Sequence, residues 1–423
     1  MTKTTKDEFA VAEEIELKGH IIDSWTLPRV FQAIMDLGGE FEVLSIRIGK
    51  HKHEASYARL RIGAENTTVL DEIIAHLQKL GAELTSANDV KSSPAPCDGA
   101  LPSDFYSTTN MPTEVRIEGR WIPIEDIEMD LAVLIDRKNK KAKTCPMAKT
   151  RQGNDIVVGH EGIRVLPIER RRDNEVFNFM HSAVSSERPK KLVIQEVARE
   201  MREIRKGGGK ILVVAGPAIV HSGAASYLGE LIRTDYVDVL FGGNAIATHD
   251  VEAALFGTSL GLSLESGSVV EGGHHHHMRA LNTIRLAGSL DEAVKKGVLS
   301  QGIMYEAIKK KIKLVLAGSI RDDGPIPDVI TDVLVAQDRM RESLEGVEMA
   351  LMISSMLHSI ATGNLLPAAV RTVAVDINPA VVTKLTDRGS WQAVGLVTDA
   401  ELFLRELTLA LTEPSKETSS ITS

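Results

Sequence analysis

Four segments decide the fold of this chain, namely KLVLAG (Lys313–Gly318), VEMALMI (Val347–Ile353), TVAV (Thr372–Val375) and AVGLV (Ala393–Val397). Each apolar run is continuous rather than alternating, which is typical of strands covered on both faces in a parallel sheet. The segments are followed by the polar residues Ser319, Ser354-Ser355, Asp376 and Thr398-Asp399. Ligands of such sheets bind beyond the carboxyl ends of the strands, where helix N-termini can hold phosphate. The pattern predicts an α/β domain with a nucleotide site.

Composition places the chain among ordinary globular proteins. Its 423 residues are 43% hydrophobic and 25% charged, which favours two or three domains. A net charge of −9 argues against binding to nucleic acid or to an anionic membrane surface. Two cysteines, no apolar stretch of membrane-spanning length and no hydrophobic signal region predict a cytoplasmic protein. The tail Glu413–Ser423 is predicted to be disordered.

The N-terminal region, residues 1–97, has the element order β-α-β-β-α-β of a ferredoxin-like unit. Apolar residues at helical spacing predict helices at Leu27–Leu37 and Thr68–Leu80. Strand-like patterns predict strands at Ile15–Ile22, Phe41–Ile48 and Ala55–Ile62. A short strand is expected after the second helix. This common fold names no function by itself.

A Pro/Ser-rich stretch, Ser92–Asp98, predicts a domain boundary. The region that follows, residues 98–185, is rich in strand and turn sequence and predicts a compact second subdomain. A long charged helix at Glu187–Ile204 then leads into the sheet domain, residues 186–412, through ILVVA (Ile211–Ala215) and VDVLF (Val237–Phe241). Helical patterns between the strands predict right-handed crossovers in a Rossmann-like sheet.

Two glycine-containing segments follow the first strands of this sheet. GPAIVHSG (Gly216–Gly223) is not G-x-G-x-x-G, and a structural turn is as consistent with it as a phosphate loop. Gly242-Gly243-Asn244-Ala245 offers a close backbone approach to a ligand and an amide that both donates and accepts hydrogen bonds. A turn that needs positive φ is the alternative for this pair of glycines.

Asp376 is the most informative single residue. A carboxylate that closes a buried strand is how dinucleotide folds bind ribose hydroxyls. The alternative is that Asp376 caps the helix that starts at Pro379, although Asn378 can do this instead. Ser354-Ser355-Met356-Leu357-His358 predicts a helix N-terminus for a pyrophosphate, with Thr398-Asp399 starting another helix in the same row. Asp322-Asp323-Gly324 is consistent with a ligand contact or with simple turn chemistry.

Other candidates have weaker patterns. His274–His277 are adjacent histidines without a neighbouring Cys or carboxylate cluster, so no metal is predicted. Cys145 lies among lysines and arginines that would activate a thiol, although a structural role is the simpler interpretation. An arginine suits a substrate carboxylate because its guanidinium group binds it through two hydrogen bonds. The candidates are Arg116, Arg151 and Arg164. The alternative for each is an ordinary solvated side chain at the surface.

Long motifs across nearly the whole chain together resemble the LOR/SDH-domain family. That family includes archaeal-type ornithine cyclodeaminases and the C-terminal half of cyanobacterial arginine dihydrolase/ornithine cyclodeaminase fusions. The motifs that carry the resemblance are DGALPSDFYSTTNMPTEVRI (Asp98–Ile117), GHEGIRV (Gly159–Val165), GPAIVHSG, FGGNAIATHDVEAALFGTSLG (Phe241–Gly261), GGHHHHMRALNTIR (Gly272–Arg285), GSIRDDGPIPDV (Gly318–Val329) and AVDINP (Ala374–Pro379).

The resemblance implies a bound NAD, a nucleotide domain similar to that of deoxyhypusine synthase, and conversion of L-ornithine to L-proline plus ammonia. The residues it implies as NAD contacts are Asn244, Ala245, Asp323, Ser355, Met356, Leu357, His358, Asp376, Leu396 and Asp399. The His-rich stretch departs from the family's more mixed version. No arginine dihydrolase half is expected before this chain, so guanidine hydrolysis is not carried over.

The implied reaction is redox-neutral, because hydride leaves Cα of ornithine and returns to the cyclic imine after ring closure. The enzyme must supply a carboxylate clamp, a base and a water-poor pocket. The second subdomain is expected to supply the first two, through Asn110, Arg116, Glu161 and Arg164, facing the strand ends.

Three alternatives remain open. They are a saccharopine- or lysine-type dehydrogenase with net NADH formation, a non-catalytic module that senses NAD or an amino acid, and an aminobutyl transferase, for which Lys384 is not obviously placed. A homodimer or tetramer is expected for a dinucleotide enzyme of this size.

Overall fold

The computed structural model describes residues 9–22, 25–50, 54–85, 88–166, 190–264, 266, 268, 270, 273–322, 324–388 and 393–412. The chain divides into two compact units, Met1–Asp173 and Asn174–Ser423. Across the described parts of both units, no helix combines the length and apolarity that crossing a membrane requires.

The first unit begins with the predicted ferredoxin-like arrangement. Its elements are β1 (Val11–Gly19), α1 (Thr26–Asp36), β2 (Glu40–Arg47), β3 (Ser56–Ala64), α2 (Thr67–Lys79) and β4 (Glu83–Leu84). The antiparallel sheet has the order β2-β3-β1-β4. The first strand starts four residues earlier than predicted, because its register with β3 runs from Val11 opposite Ala64 to Gly19 opposite Ser56.

Local sequence explains the two helices of this sheet. In α1 the buried residues Leu27, Val30 and Ile34 lie on one face at helical spacing. At the start of α2 the side chain of Asn66 accepts the N–H of Val69 at 3.0 Å, which satisfies one of the unpaired helix donors. Buried residues of both helices belong to one core cluster with the strands of this sheet.

The first unit also contains a second sheet, of seven strands. Its strands are β5 (Lys91–Pro94), β6 (Thr113–Ile117), β7 (Arg120–Glu125), β8 (Ala132–Asp136), β9 (Lys141–Cys145), β10 (Asp155–Val158) and β11 (Ile163–Val165), with a 3-10 helix Met147–Lys149 after β9. Their order in the sheet is β11-β6-β7-β9-β8-β10-β5.

The stretch predicted as a domain boundary, Ser92–Asp98, begins within a strand. Lys91–Pro94 is strand β5, which pairs antiparallel with β10 at the edge of the second sheet. Serine and proline are tolerated there because an edge strand leaves one row of backbone groups unpaired. Buried Gln78 of α2 donates to the carbonyl oxygens of His160 at 3.1 Å and Ile163 at 3.3 Å. The two sheets are thus parts of one compact unit.

The second unit is built on a parallel sheet of seven strands. The strands of this unit, including a short separate hairpin of β14 and β15, are β12 (Lys210–Ala215), β13 (Val239–Gly243), β14 (Thr258–Ser259), β15 (Leu262–Ser263), β16 (Lys313–Ala317), β17 (Val329–Ile330), β18 (Val347–Ile353), β19 (Arg371–Asp376) and β20 (Ala393–Val397). The sheet order is β17-β16-β13-β12-β18-β19-β20, and every pairing in it is parallel. Successive strands are added from β12 towards β17 on one side and from β18 towards β20 on the other. The position between β12 and β18 is therefore the topological switch point, where ligands of such sheets bind.

Helices cover both faces of this sheet. They are α3 (Lys190–Gly207), α4 (Ala218–His221), α5 (Ala225–Arg233), α6 (Asn244–Phe256), α7 (His276–Ala287), α8 (Leu290–Lys295), α9 (Ile303–Lys310), α10 (Val333–Ser343), α11 (Leu357–Leu365), α12 (Pro379–Arg388) and α13 (Ala400–Thr412), with a 3-10 helix Gly273–His275 before α7. The predicted long helix continues to Gly207, and its predicted first residues, 187–189, lie outside the described residues.

The two faces of β12 explain its continuous apolar sequence. Ile211 and Val213 lie in one core cluster, with residues of α3, α5 and α13. Leu212 and Val214 lie in a second cluster on the other face, with residues of α10 and α11. Each of these four side chains is fully buried, and each burial contributes about 2 kcal/mol. The predicted parallel sheet is confirmed.

Candidate functional site

The carboxyl ends of the strands form one row at a single edge of the sheet. The register pairs Ala215 of β12 with Ile353 of β18, and Gly243 of β13 with Ala317 of β16. On the other side of the switch point, Asp376 of β19 lies opposite Val397 of β20. Most of the dinucleotide contacts implied by the resemblance therefore belong to loops and helices that start along this row.

At the switch point the backbone after β12 touches the backbone after β18. A Cβ on Gly216 would overlap the carbonyl oxygen of Ser354. Ser354 has φ of 50°, a left-handed conformation unusual for a residue other than glycine, and its N–H donates to the carbonyl oxygen of Val375 at 2.8 Å. Gly216 is therefore required by close backbone approach, and the strained Ser354 directs the following residues into α11.

The Gly242-Gly243 pair also serves close approach. Gly243 has φ of −116°, so its glycine is not needed for positive φ. A Cβ there would lie 2.9 Å from Cε1 of His358, and the Nε2 of that histidine lies 3.3 Å from the carbonyl oxygen of Ala317. His358 of α11 thus packs over the ends of β13 and β16.

Asn244 is held with its amide nitrogen available to a ligand. Its Oδ1 accepts the backbone N–H of Ile326 and the hydroxyl of Thr248, both at 3.2 Å. Since a backbone N–H can only donate, this side of the amide is the oxygen. The NH₂ group remains as a donor at the end of β13, although the residue is 8% exposed. Ala245, the next residue, is exposed on the first turn of α6.

The N-terminus of α11 presents backbone donors at the same edge. Its first turn has no side-chain cap, and the first backbone bond into this turn runs from Ile360 N–H to the carbonyl oxygen of Met356. The N–H groups that precede Ile360 lack partners within the helix and suit an anion. Met356 and Leu357 are exposed while Ser355 is buried, so side chains of different character flank these donors.

Asp376 and Asn378 divide the two roles that the sequence left open. Asn378 Oδ1 accepts the N–H of Ala380 at 3.0 Å, which is a cap interaction at the start of α12. Asp376 Oδ1 accepts the N–H of Asn378 at 2.8 Å, so its carboxylate is held at the end of β19. This geometry fits the ribose interpretation of Asp376.

The segment after β20 contains an unsatisfied polar atom. Thr398 is 3% exposed, and no described residue provides a hydrogen-bond partner for its Oγ1. Asp399 Oδ1 accepts the N–H of Glu401 at 2.8 Å and so caps α13. The side chain of Leu396 lies in the hydrophobic core, so only its main chain is available to a ligand. The orphaned hydroxyl marks this end of the row as one that a ligand would satisfy.

The Asp322–Gly324 segment is described in part. Asp323 lies outside the described residues. Asp322 Oδ2 accepts the N–H of Ser319 at 2.8 Å, which is the simple turn chemistry that the sequence also allowed.

The four residues predicted as clamp and base lie in the first unit, and three of them have ionic partners. Arg164 forms an ion pair with Glu114 and stacks on Trp121, with its Cζ 4.3 Å from the ring centroid. Arg116 lies 3.9 Å from Asp89, and Glu161 lies 2.7 Å from Lys91, these being the remaining pairs. Asn110 is 5% exposed, and its Nδ2 has no hydrogen-bond partner among the residues described. A substrate carboxylate would compete with Glu114 for Arg164.

The other candidates from the sequence, Cys145 and Arg151, contact residues of their own domain. Cys145 is buried, with its Sγ 3.7 Å from the hydroxyl of Thr150. Arg151 lies 3.6 Å from Asp98 at the surface. Within the described part of the chain, no group of three or more His, Cys, Asp or Glu side chains is arranged to hold a metal ion.

Sequence reasoning missed a cluster of hydrogen-bonded histidines around Glu252, which we call the Glu252 network. Its members are His221, His249, Glu252, Thr258, Ser259 and His276. The i, i+3 spacing of His249 and Glu252 on a helix was the one local signal that predicts part of it. The other members come from separate elements, and no sequence spacing indicates that they meet.

Comparison with known families covers almost the whole chain. Residues 12–111 match the LOR/SDH bifunctional enzyme conserved region, and residues 112–194 match the first region of the ArgZ-like arginine dihydrolase C-terminal part. Residues 195–407 match the Rossmann fold of that same C-terminal part.

Full-length relatives agree with these matches. The ornithine cyclodeaminase of Methanocaldococcus jannaschii is 52% identical over 410 residues, which is 96% of this chain and 97% of the relative. The ornithine cyclodeaminase of Methanopyrus kandleri is 53% identical over 93% of this chain and 96% of its own length. The bifunctional arginine dihydrolase/ornithine cyclodeaminase AgrE of a Nostoc species is 45% identical over 97% of this chain and 60% of its own.

Solved structures show the same relationship. The apo crystal structure of the cyanobacterial arginine dihydrolase ArgZ superposes with a TM-score of 0.84 at 39% identity, covering 95% of this chain and 58% of ArgZ. The structure of AgrE as a ternary complex with ornithine and NAD⁺ matches with a TM-score of 0.52 at 44% identity, covering 95% of this chain and 57% of AgrE. The chain therefore belongs to the LOR/SDH-related family that the archaeal ornithine cyclodeaminases share with the C-terminal regions of the ArgZ-like arginine dihydrolases.

Proposed function

We propose that this chain is an NAD-dependent ornithine cyclodeaminase that converts L-ornithine to L-proline and ammonia. The observation that carries the proposal is near-full-length identity of 52% to an ornithine cyclodeaminase, in a chain whose strand ends form the row described above. The fold alone would not be sufficient, because a Rossmann-like fold serves many reactions.

The residues at the row fit a dinucleotide. Asp376 offers a carboxylate to ribose, the first turn of α11 offers N–H groups to the pyrophosphate, and Asn244 offers an amide donor. The orphaned hydroxyl of Thr398 is a further group that a bound ligand would use. Bound NAD supplies a hydride acceptor and donor, so that oxidation and reduction of the substrate cancel within one catalytic cycle. The further contacts proposed are Ala245, Asp323, Ser355, Met356, Leu357, His358, Leu396 and Asp399.

The protein's own task is to handle protons and water. Ornithine reaches the enzyme with two ammonium groups, and each must lose a proton before its nitrogen can react. The ring closes within one molecule, so holding the δ-nitrogen near Cα gives a large effective concentration. Excluding water protects the reactive carbon–nitrogen double bond of the substrate from hydrolysis. Asn110, Arg116, Glu161 and Arg164 remain proposals for binding or deprotonating the substrate.

The proposal extends to a cytoplasmic homo-oligomer, a dimer or a tetramer. Closed symmetry is the common state of such enzymes. Sedimentation of the purified protein measures the oligomeric state.

One assay distinguishes this activity from its alternatives. Purified protein is incubated with NAD⁺ and L-ornithine while proline, ammonia and the absorbance of NADH are followed together. We expect proline and ammonia in equal amounts without stoichiometric NADH. NADH equal to the substrate consumed would indicate a saccharopine- or lysine-type dehydrogenase instead, and ligand binding without product would indicate a sensing module.

Substrate length provides the matched control. L-Lysine and L-2,4-diaminobutyrate differ from ornithine by one methylene and would close rings of six and four atoms. The four-membered ring is strained, so we expect no cyclic product from diaminobutyrate. Equal turnover of all three would contradict a site built around the ornithine chain.

A further inference from the structure

The Glu252 network is a set of linked titratable side chains in the second unit that the proposed cofactor site does not use. It joins four elements, since His221 ends α4, His249 and Glu252 lie on α6, Thr258 and Ser259 form β14, and His276 begins α7. Such an arrangement is more than a structural ion pair, because one imidazole bonds the carboxylate directly and two others reach it through His249 or Thr258.

Glu252 is the centre of the network. Its side chain is fully buried, and Oε2 accepts from Nδ1 of His249 at 2.9 Å. Oε1 accepts the hydroxyl of Thr258 at 3.0 Å and the N–H of Gly261 at 3.4 Å. Burial alone would raise the pKa of this carboxyl, but the hydrogen bonds from His249, Thr258 and Gly261 hold it below its usual range. Glu252 is therefore ionised at neutral pH.

The hydrogen bonds fix the tautomers of two imidazoles. His249 donates from Nδ1 to the carboxylate, which leaves its Nε2 as the basic nitrogen in the neutral form. The hydroxyl proton of Thr258 is used by Glu252, so this oxygen must accept from Nδ1 of His276, which lies 2.9 Å away. His276 too is left with a basic Nε2. A carboxylate that orients an imidazole in this way is how enzymes prepare a general base.

His221 is the third imidazole and contacts the first. Its ring meets the ring of His249 edge to face, with centroids 4.7 Å apart, and its Nδ1 lies 2.6 Å from the hydroxyl of Ser259. Burial lowers the pKa of His221, the charge of His249 lowers it further and Glu252 opposes both. The imidazole of His221 is therefore neutral at neutral pH, which is the form that a general base needs.

Within the described part of the chain, the titratable groups that act on His221 lie on one helix. The groups that affect its charge are His249 and Glu252, both on α6. From β14 it meets the neutral Ser259, and His276 of α7 is connected only through Thr258 and Glu252. Helix α13 also packs on α4, and its buried residues, Ala400, Phe403, Leu404, Leu407, Thr408 and Leu411, do not titrate.

The network lies next to the row of strand ends. His221 follows the last residue of β12, Ala215, after the Gly216-Pro217 turn and the single turn of α4. Helix α6, which carries His249 and Glu252, begins at Asn244 directly after β13. The network is thus attached to the two strands on one side of the switch point.

We propose that the Glu252 network is the proton carrier of the cyclodeamination, with His221 as the base that takes the proton of the substrate α-ammonium. This inference rests on the proposed function. Ser259, His249 and Glu252 are positioning residues, because they act through His221.

The protons of this scheme balance. His221 accepts one proton from the α-ammonium, which frees the nitrogen lone pair for hydride departure from Cα. The δ-ammonium then loses a proton to the same network, its nitrogen bonds to Cα, and a proton passes from this nitrogen to the α-nitrogen as the bond from Cα to the α-nitrogen breaks. The hydride lost from Cα, which NAD⁺ at the proposed cofactor site would accept, returns to Cα of the cyclic imine. The departing ammonia takes back one proton and the ring nitrogen of proline takes the other, so the network ends unchanged.

The first test is the pH dependence of kcat in His221→Gln. Loss of a general base is expected to lower kcat by about 10²–10⁴-fold. The fall of the wild-type rate on acidification should also disappear, while Kd for NAD stays within about threefold, a change of less than one tenfold step. His76→Gln, an exposed histidine of the first unit, is the matched control and should keep the wild-type profile.

Glu252→Gln tests the positioning role. The charge of Glu252 raises the pKa of His221, so its removal should lower this pKa and move the acidic limb of the pH profile to lower pH. Histidine resonances followed by NMR, without substrate or cofactor, should show the same displacement for His221. A purely structural role would change stability without moving either measurement.

Ser259→Ala keeps the proposal falsifiable if a core variant does not fold. It removes only the hydroxyl at Nδ1 of His221 and should lower kcat with a shifted acidic limb. A folded His221→Gln with wild-type kcat and profile, or Ser259→Ala with an unchanged limb, would overturn the proton-carrier role. A wild-type protein that makes no proline would instead overturn the proposed function and this inference with it.

Discussion

The imidazole of His358 lies against the backbone of Gly243 so closely that a Cβ on this glycine would be 2.9 Å from Cε1. The same ring has its Nε2 3.3 Å from the carbonyl oxygen of Ala317. Helix α11 follows β18, on one side of the switch point. Its His358 side chain therefore contacts the ends of β13 and β16, which lie on the other side. The absence of a side chain at Gly243 is what lets the helix N-terminus approach the row.

Gly243→Ala should separate these elements. The added methyl group is nearer to His358 than ordinary van der Waals contact allows, so the ring and the first turn of α11 must move. We expect Kd for NAD to rise roughly 10-fold or more, since a shift of this kind costs about 1–3 kcal/mol. Isothermal titration calorimetry measures the change.

Gly229→Ala is the control for this substitution. Gly229 lies inside α5, and a Cβ there would meet Glu306 Cγ at an ordinary distance of 3.6 Å. Alanine is favoured over glycine in a helix, so stability should rise by about 0.5–1 kcal/mol without a change in NAD affinity. Equal NAD affinity in the two variants would show that His358 does not depend on Gly243.

Asn244→Asp tests the donor at the end of β13. Aspartate keeps an oxygen for the N–H of Ile326 and the hydroxyl of Thr248, but it has no NH₂ group. We expect NAD binding to weaken roughly 10-fold or more, because a lost donor and an added negative charge both disfavour an anionic ligand. Thr248→Val removes the neighbouring hydroxyl alone, and an equal effect on Kd there would mean that Asn244 acts only through packing.

Asp376→Asn separates ribose binding from the local turn. Asparagine keeps the oxygen that accepts the N–H of Asn378, so the turn before α12 should persist. A hydrogen bond to a charged group contributes about 1.5–3 kcal/mol, so its loss predicts a rise in Kd for NAD of roughly 10- to 100-fold. Asp332→Asn, at an aspartate that caps α10, is the matched control and should leave Kd unchanged.

The sheet domain could be predicted from sequence because its evidence is local. Two-sided burial forces a continuous apolar run, so VEMALMI predicted β18 with its bounds. The predicted strand at Ala393–Val397 is also confirmed, and a helix starts directly after its polar end, Thr398-Asp399. Apolar sequence and a terminal polar residue were enough in both cases.

Contacts between distant segments could not be predicted. The stretch Ser92–Asp98 has the Pro/Ser-rich composition of a boundary, but its first residues belong to β5. The place of β5 at a sheet edge is decided by β10, about sixty residues away in the chain. Glu252 has an ordinary helical spacing from His249, and its other partners arrive from β14 and, through Thr258, from α7. Burial of a carboxylate among histidines is a property of the assembled fold, and only the i, i+3 pair is visible beforehand.

Asp250 gives a prediction about stability that does not depend on function. This residue of α6 is 1% exposed, and its carboxylate accepts the N–H groups of Ile303 at 2.8 Å and Met304 at 2.7 Å at the start of α9. Burial raises its pKa from 3.8 to about 6, although the two backbone donors oppose the shift. Between these values the carboxyl ionises in the unfolded chain but not in the folded one.

Stability contributed by Asp250 is therefore fully present below its unfolded pKa and is lost as the pH rises towards 6. This rise in the pKa of Asp250 corresponds to about 3 kcal/mol, of which about 2 kcal/mol is lost between pH 4.5 and 7. In Asp250→Asn the difference in unfolding free energy between these pH values should change by about this amount relative to the wild type. Urea unfolding at the two pH values measures it.

A helix cap that does not ionise provides the comparison. Asn66→Ala removes the cap of α2 and should lower the unfolding free energy by about 1 kcal/mol at both pH values, because asparagine has no charge to lose. If Asp250→Asn behaved in the same way, with a constant offset and the wild-type slope, the carboxyl of Asp250 would be ionised in the folded protein throughout this range. Its two backbone donors would then outweigh its burial, and the charge would be held by the N-terminus of α9 alone.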